Sequence, residues 1–207
     1  MSVLSEKVSE ENEDKMLYLV TGGSGSGKSE YAEKLAQKIR KGQKEKGRFY
    51  YIATMYPYDQ ECLERIKKHR NMRADKGFET IECYTQLEKI SVKKTDVVLL
   101  ECMSNLLANE MYQPDGRIRL RGTQADAQLY AAIIRPLLQM AENAGGVVVV
   151  SNEVFSDGGS YDGETKEYVR LLGTVNTQLA ASADGVVEAV CGIPVIVKKG
   201  EKECFVP

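Results

Sequence analysis

Eight residues near the start of the chain form a pattern that binds phosphate. Gly22, Gly27, Lys28 and Ser29 occupy the fixed positions of G-x-x-x-x-G-K-S. Glycines let the backbone turn tightly and aim N–H groups at phosphate oxygens, and the helix that follows adds the positive end of its dipole. The lysine of this pattern neutralises the β- and γ-phosphates, and the serine hydroxyl is a ligand for Mg²⁺. Residues 22–29 therefore predict a site for a nucleoside triphosphate with Mg²⁺.

The phosphate loop predicts the ligand but leaves three classes of reaction open. These are a small-molecule kinase or nucleotidyltransferase, a GTPase switch and an ATP-driven motor. A switch GTPase also needs D-x-x-G and [NT]-K-x-D, and neither pattern occurs in the sequence. A motor usually has a longer chain with further sensor elements. The short chain therefore favours phosphoryl or nucleotidyl transfer to a small molecule.

A single acidic residue ends the apolar segment DVVLLE at residues 96–101. In P-loop proteins a carboxylate at the end of a neighbouring strand helps to hold the Mg²⁺, and Asp is the usual residue. Here the position carries Glu101, which the pattern predicts as a metal ligand together with Ser29. The alternative interpretation is an acid that only marks where the strand enters solvent.

The only histidine of the chain lies in a strongly basic segment. His69 stands within RIKKHRNMR, residues 65–73, where five of the nine residues are Arg or Lys. Clustered cations make strong charge-assisted bonds to phosphate. A neutral imidazole can attack phosphorus and form a covalent intermediate. A nucleophile is one interpretation of His69, and a surface histidine on a basic helix is the other.

The composition of the chain argues against nucleic acid and membrane insertion and indicates a cell compartment. The 207 residues carry a net charge of −2, so no broad basic field favours nucleic acid. Five cysteines, an odd number without C-x-x-C spacing, indicate the reducing cytoplasm. The polar, acidic residues 1–15 lack the features of a signal peptide and predict a disordered tail. The longest clean apolar run, residues 147–150, is far too short for membrane insertion.

Apolar segments alternate with helical patterns and predict the elements that position these residues. Segments without period-two alternation are typical of strands covered on both faces, as in a parallel sheet between helices. The sequence therefore predicts an α/β, P-loop NTPase-like fold with a mostly parallel sheet, flanked by helices, in one domain over residues 16–207. Predicted strands cover residues 16–21, 48–54, 80–84, 96–101 and 146–151, with closing strands at 185–190 and 194–198. Predicted helices cover residues 30–40, 59–73, 125–143 with an interruption at Pro136, and 164–183, with part of a short helix at 87–90.

Several segments occur in the order found in one family. LVTGGSGSGKS resembles L-V-T-G-G-x-x-S-G-K-S, and RIKKHRNMR resembles R-I-x-x-H-R-x-x-R. YIAT, FETIE, LLECMSNLLANEM, SNEV, GTVNTQLAASAD and GIPV resemble further segments, including a third strand with its following helix. From residue 16 to about residue 198, the chain resembles the bifunctional adenosylcobinamide kinase/adenosylcobinamide-phosphate guanylyltransferases of cobalamin biosynthesis.

The resemblance implies two reactions in one protein. A nucleoside triphosphate, GTP or ATP, phosphorylates adenosylcobinamide, and GMP from GTP then passes through a histidine to adenosylcobinamide phosphate. His69 matches that histidine, and Lys28 is the other expected catalytic residue. A homo-oligomer, commonly a trimer, is also implied. The implied nucleotide contacts are Thr21, Gly22, Gly23, Ser24, Gly25, Ser26, Gly27, Lys28, Ser29, Ile52, Ala53, Thr54, Arg70, Asn71, Met72, Arg73, Glu82 and Glu101.

One segment departs from the family pattern and keeps alternatives open. The family often has N-E-V-G-x-G-x-V-P followed by R-x-x-R-D, whereas residues 152–173 read NEVFSDGGSYDGETKEYVRLLG. The V-P and the second arginine are missing, and Phe78 replaces a usual Trp. A kinase without guanylyl transfer, or one for another small alcohol, is the second hypothesis. A nucleotide sensor without turnover is the third.

Overall fold

A computed structural model describes residues 16–155 and 161–200, with residues 72–74 described by their backbone alone. The predicted disordered tail, residues 1–15, lies outside the described residues. Within this part the fold is α/β, and the predicted mostly parallel sheet flanked by helices is confirmed. No described helix combines the length and apolar character that crossing a membrane requires.

Seven strands form one sheet in the order β3-β2-β4-β5-β1-β6-β7. Every neighbouring pair is parallel except β6 with β7, which closes the sheet as an antiparallel hairpin. The strands are β1 (Leu17–Gly22), β2 (Phe49–Ala53), β3 (Glu79–Glu82), β4 (Val97–Glu101), β5 (Gly146–Val150), β6 (Gly185–Val190) and β7 (Ile193–Lys198). The helices are α1 (Lys28–Gly42), α2 (Gln60–Arg73), α3 (Met103–Tyr112), α4 (Thr123–Leu129), α5 (Arg135–Asn143) and α6 (Gly163–Ser182), with 3₁₀ turns at Ala74–Lys76 and Leu87–Lys89.

The central strands are buried on both faces, which is why their sequences do not alternate. Tyr18 and Val20 of β1 pack with Leu35 of α1 in one core layer. Leu19 of the same strand joins the other layer, which also contains Leu179 of α6 and apolar residues of α3 and α5. Because all these strands are parallel, their carboxyl ends meet at one edge of the sheet, where the predicted chemistry lies.

The helical region at residues 123–143 is continuous at Pro136, where the sequence predicted an interruption. A π-helical segment, Tyr130–Ile134, joins α4 to α5, and Pro136 stands in the first turn of α5. Proline has no N–H to donate to the carbonyl four residues earlier. Arg117 compensates, because its Nη2 donates to the carbonyl oxygen of Ala132 at 2.8 Å. A side chain from outside the helix thus supplies the missing donor.

Arg117 also neutralises a fully buried carboxylate. Glu110 has no exposed surface, and it accepts hydrogen bonds from the backbone N–H of Gln86 at 2.8 Å and from Arg117 Nη2 at 2.9 Å. The hydrogen bonds to Glu110 and the nearby carboxylates raise the pKa of Arg117, although its own burial opposes this. Loss of the guanidinium would leave a buried charge and a buried carbonyl unpaired.

We expect Arg117→Ala to lower the free energy of unfolding by about 3–5 kcal/mol because Glu110 would lose its cation. For a chain of this size the melting temperature should fall by roughly 10 °C. Urea titration followed by circular dichroism measures the change. Arg121→Ala is the control, since Arg121 and Glu164 form an exposed ion pair worth less than about 1 kcal/mol. Equal losses in the two variants would contradict the role given to the buried pair.

Candidate active site

The phosphate loop connects β1 to α1 at the carboxyl edge of the sheet. Gly27, just before α1, has φ of +89°, which a residue with a side chain rarely adopts. A Cβ at Gly22 would lie 2.6 Å from the carbonyl oxygen of Ala189 in β6, so no other residue fits there without a shift. The backbone N–H of Gly192, in the β6–β7 turn, donates to the carbonyl of Ser26 at 3.0 Å. The loop is therefore supported by β6 and by the hairpin turn.

Two polar groups of the loop, on Lys28 and Ser26, could contact a phosphate. Lys28 Nζ donates to the carbonyl oxygen of Gly23 at 3.0 Å, which holds the ammonium group against the loop. The hydroxyl of Ser26 is buried and has no hydrogen-bond partner among the described residues. Such unpaired buried groups are uncommon in folded proteins, and an anionic ligand in the loop is one way to satisfy them.

Glu101 accepts two short hydrogen bonds from hydroxyl groups on different elements. Ser29 Oγ, in the first turn of α1, donates to Oε1 at 2.5 Å, and Tyr51 OH, on β2, donates to Oε2 at 2.6 Å. The serine hydroxyl and the carboxylate are hard oxygen donors beside the phosphate loop. Mg²⁺ is typically held by one or two such protein groups together with substrate phosphates, so this donor set fits the ion.

Helix α2 carries the histidine and is held mainly by polar contacts. Asp59 begins the helix by accepting from the backbone N–H of Cys62 at 2.7 Å, and this bond lowers the pKa of the aspartate. No described residue of α2 is fully buried. An ion pair between Arg70 and Glu82 connects the helix to β3. Because Arg65 and His69 are four residues apart, they share one face of the helix.

A cavity of about 420 Å³ lies between these elements. Its wall includes residues from the phosphate loop, the end of β2, helix α2 and the end of β4. It therefore brings together half of the predicted site, because nine predicted residues line it: Ser24, Gly25, Lys28, Ser29, Ala53, Thr54, His69, Arg70 and Glu101.

The other predicted residues lie outside the cavity wall. Ile52 is fully buried in the core with the other apolar side chains of the sheet, so its side chain faces away from the site. Glu82 reaches the site only through its ion pair with Arg70. Asn71 is exposed on α2, and the side chains of Met72 and Arg73 lie outside the described residues. The remaining predicted loop positions, none of which lines the cavity, are Thr21, Gly22, Gly23, Ser26 and Gly27.

Further lining residues are ones that the sequence analysis did not select. They include Tyr51, Arg65, Asn105 and Asn152. All four lie within segments that carry the resemblance, namely YIAT, RIKKHRNMR, LLECMSNLLANEM and SNEV, which was the available signal. Asn105 stands in α3, and nothing in its spacing distinguishes it from a surface residue. The roles of all these residues remain predictions.

Comparison with known proteins identifies the family. The family model described as cobinamide kinase / cobinamide phosphate guanyltransferase, CobU, matches residues 18–197. The chain belongs to this family. The bifunctional adenosylcobalamin biosynthesis protein CobU of Escherichia coli strain K12 is 33% identical over 189 residues, covering 88% of this chain and 100% of that protein. Its counterpart in Salmonella typhimurium strain LT2 is 31% identical over 194 residues, with the same coverage.

The CobU match includes the phosphate loop, His69 and the end of β5, so all walls of the cavity lie inside the family region. Two solved structures of other proteins are similar at lower sequence identity. The flagellar accessory protein FlaH from Methanocaldococcus jannaschii has a TM-score of 0.46 at 16% identity, over 89% of this chain and 79% of that one. A KaiC-like protein from Pyrococcus horikoshii OT3 has a TM-score of 0.43 at 14% identity, over 91% and 81%.

Proposed function

We propose that this CobU-family chain phosphorylates adenosylcobinamide and then transfers GMP from GTP, through guanylylated His69, to give adenosylcobinamide-GDP. The observation that supports this most directly is that Lys28 and His69 line one cavity. A phosphate-binding group and a nitrogen nucleophile therefore face the same ligand. In this proposal residues 16–207 act as one catalytic domain, and GTP or ATP donates the first phosphate.

In the kinase half-reaction, the loop N–H groups and Lys28 hold the β- and γ-phosphates. Ser29 and Glu101 would hold Mg²⁺, which supplies positive charge against the phosphates when it is bound. In such a reaction the protein mostly positions the reactants and stabilises charge, because there is little covalent chemistry for its side chains to perform. We expect Lys28 mainly to stabilise the negative charge that develops on the leaving nucleoside diphosphate.

In the guanylyl half-reaction, an imidazole nitrogen of His69 attacks the α-phosphorus of GTP. A nitrogen–phosphorus bond forms, the bond from that phosphorus to the bridging α,β-oxygen breaks, and pyrophosphate leaves. A phosphate oxygen of adenosylcobinamide phosphate then attacks the same phosphorus and releases the histidine. Arg65 and Arg70 line the cavity beside His69 and can neutralise phosphate charge.

A single position of the nucleotide is hard to reconcile with both attacks, since one acceptor needs the γ-phosphorus and the other the α-phosphorus. We therefore expect either the nucleotide or helix α2 to shift between the half-reactions. No described residue of α2 is fully buried, so a shift of this helix would disrupt few packing contacts.

Product analysis tests the proposal. The protein, with GTP, Mg²⁺ and adenosylcobinamide, is expected to form first the phosphate and then adenosylcobinamide-GDP. Products that stop at the phosphate would favour the second hypothesis, a kinase without guanylyl transfer, which the altered sequence of residues 155–165 motivates. Tight GTP binding without any corrinoid product would favour the nucleotide sensor and contradict the proposal.

We expect Tyr51→Phe to weaken metal binding about 5- to 10-fold while GTP still binds, because Glu101 would lose the hydrogen bond that orients one of its oxygens. Titration of Mn²⁺ into the protein with GTP, followed by electron paramagnetic resonance, measures this directly. Tyr50→Phe is the control, since Tyr50 bonds instead to Arg48 at the other end of β2. Unchanged Mn²⁺ affinity in Tyr51→Phe would contradict the orienting role.

We also propose that the chain forms a homo-oligomer, a trimer by the resemblance, through strand β7. This edge strand exposes apolar side chains on both faces, with Ile193 66% and Val197 62% exposed. Exposed apolar edge strands are normally covered or interrupted by charge, because they invite further association. A second copy of the chain would cover the surface, and the β6–β7 turn would connect that interface to the phosphate loop.

Val197→Lys is expected to dissociate the oligomer, because a lysine at the contact would have to be desolvated. Light scattering after size-exclusion chromatography measures the mass. Leu120→Lys, at another exposed apolar residue that lies outside β7, is the matched control and should leave the mass unchanged. A monomeric unaltered protein, or equal behaviour of both variants, would contradict an interface on β7.

A further inference from the structure

Asn152 is the second residue after the end of β5 and is held beside the phosphate loop. On either side of it, the backbone N–H of Ser151 donates to the carbonyl of Val20 at 2.9 Å, and that of Glu153 donates to the carbonyl of Gly22 at 3.1 Å. Gly22 is the first residue of the phosphate loop. The position of Asn152 relative to bound phosphates is therefore set by two backbone hydrogen bonds to β1.

Two helices fix the same residue from other directions. On α6, Asn176 Nδ2 donates to the carbonyl oxygen of Asn152 at 3.2 Å, and Asn176 Oδ1 accepts from Ser151 Oγ at 2.6 Å. On α3, Ser104 Oγ accepts from Asn152 Nδ2 at 2.6 Å. Ser104 is itself held from α6, where Tyr168 OH donates to its carbonyl at 3.3 Å. Burial raises the pKa of Tyr168 to about 12, so this phenol stays a donor at neutral pH.

The network uses the amide nitrogen of Asn152 and leaves its amide oxygen available. Within residues 16–155 and 161–200, no group donates to Asn152 Oδ1, and the side-chain amide of Asn105 makes no hydrogen bond. Both residues line the cavity that contains Lys28 and His69. A half-buried acceptor and a half-buried amide thus face the nucleotide site with hydrogen-bonding capacity that a ligand can use.

We propose that Asn152 and Asn105 form the subsite for the acceptor hydroxyl of the kinase half-reaction, separate from the wall that carries His69. The inference rests on the proposed function and adds a location for its first acceptor. The hydroxyl donates to Asn152 Oδ1, which directs its oxygen lone pair at the γ-phosphorus. Asn105 holds polar groups of the substrate next to that hydroxyl.

The chemistry balances without a further reactant. The hydroxyl oxygen forms a bond to the γ-phosphorus as the bond from that phosphorus to the bridging β,γ-oxygen breaks. The nucleoside diphosphate leaves, and the hydroxyl proton passes to an oxygen of the transferred phosphoryl group. Asn152 orients the alcohol and takes no proton, so the gain comes from a fixed near-attack geometry.

This arrangement separates the two acceptors on different walls of one cavity. His69 is on α2, whereas Asn152 follows the end of β5 and Asn105 is on α3. We call the surface formed by Asn152 and Asn105 the asparagine wall. Substitution of either residue should therefore slow phosphoryl transfer to the alcohol and leave GMP transfer to the histidine unchanged. A purely structural role, in which Asn152 only joins β5 to the helices, predicts that both reactions decline together.

The test measures two reactions of the full chain. One is transfer of labelled γ-phosphate from GTP to adenosylcobinamide, and the other is labelling of His69 from α-labelled GTP without corrinoid. We expect Asn152→Ala to slow the first reaction about 10- to 100-fold and to leave the second within about twofold. Asn176→Ala removes the donor to the Asn152 carbonyl and the acceptor of Ser151 Oγ, and it should slow the first reaction about 5-fold. Asn143→Ala, an exposed amide at the end of α5, is the matched control and should change neither reaction.

Asn105→Ala provides a second test that does not depend on the folding of the Asn152 variant. The side chain of Asn105 makes no hydrogen bond with the described residues, so the variant should keep its melting temperature while kcat/KM for adenosylcobinamide falls about 5- to 10-fold. The inference is overturned if Asn105→Ala leaves that kcat/KM unchanged, or if Asn152→Ala slows both reactions equally. If the unaltered protein makes no adenosylcobinamide phosphate, the proposed function fails, and this inference fails with it.

Discussion

Replacing His69 with alanine is expected to abolish GMP transfer, with a loss of at least about 10³-fold, because no other group would carry the covalent intermediate. Phosphorylation of adenosylcobinamide should stay within about threefold of the unaltered protein, since the phosphate loop and the asparagine wall are intact. Parallel assays of adenosylcobinamide phosphate and adenosylcobinamide-GDP measure the two steps in one reaction mixture.

Lys67→Ala is the matched control, because Lys67 is exposed on the same helix and does not line the cavity. It should leave both steps within about twofold. If His69→Ala still forms adenosylcobinamide-GDP at the normal rate, GMP passes directly between substrates and the covalent route is wrong.

Replacing Lys28 with alanine is expected to slow both half-reactions by about 10²- to 10³-fold, because both need the charge of the same triphosphate to be neutralised. Nucleotide binding should also weaken, whereas the fold should persist, since the only described hydrogen bond of Lys28 Nζ is with the half-buried loop carbonyl of Gly23. Steady-state rates for each step, together with GTP titration by calorimetry, separate binding from turnover.

Lys34→Ala is the control for this variant. Lys34 is on the same helix, but its ion pair is with exposed Glu30, away from the cavity. The control should behave as the unaltered protein does. Loss of one half-reaction alone in Lys28→Ala would show that the two acceptors do not use the same bound triphosphate, which contradicts the single-cavity proposal.

The fold was predictable from sequence where one local signal dominates. Buried parallel strands such as β4 and β5 need apolar side chains on both faces, and that requirement is visible as VVLLE and GVVVV. Glycine and lysine spacing likewise predicts the phosphate loop, because few other backbones present consecutive N–H groups to phosphate. Helix α3 was expected only through the family resemblance, since its first turn has neither an acidic residue nor a side-chain cap.

Features that depend on distant residues could not be predicted. Pro136 should interrupt a helix, but Arg117, nineteen positions earlier, donates to the carbonyl that the proline leaves unpaired. The full burial of Glu110 depends on that same arginine. Charged residues are mostly exposed, so composition and spacing alone would place both at the surface.

The residues of the candidate site also divide into those with a local sequence signal and those that depend on distant residues. Lys28 and His69 carry signals of their own, in the loop pattern and the basic segment. Asn152 could not be selected from sequence, because its interest depends on hydrogen bonds to β1, α3 and α6. These elements are distant in sequence and meet only in the fold. Ile52 shows the opposite case, because its motif lies beside the site while its side chain belongs to the core.

The central claim is that His69 becomes covalently guanylylated beside the phosphate loop. The most direct measurement is mass spectrometry of the protein after incubation with GTP and Mg²⁺, without corrinoid, followed by peptide mapping at neutral pH. The account predicts one GMP adduct for each chain on the peptide that contains His69, lost on mild acid treatment and absent from the His69→Ala variant. An unmodified His69 peptide from protein that still makes adenosylcobinamide-GDP would contradict it.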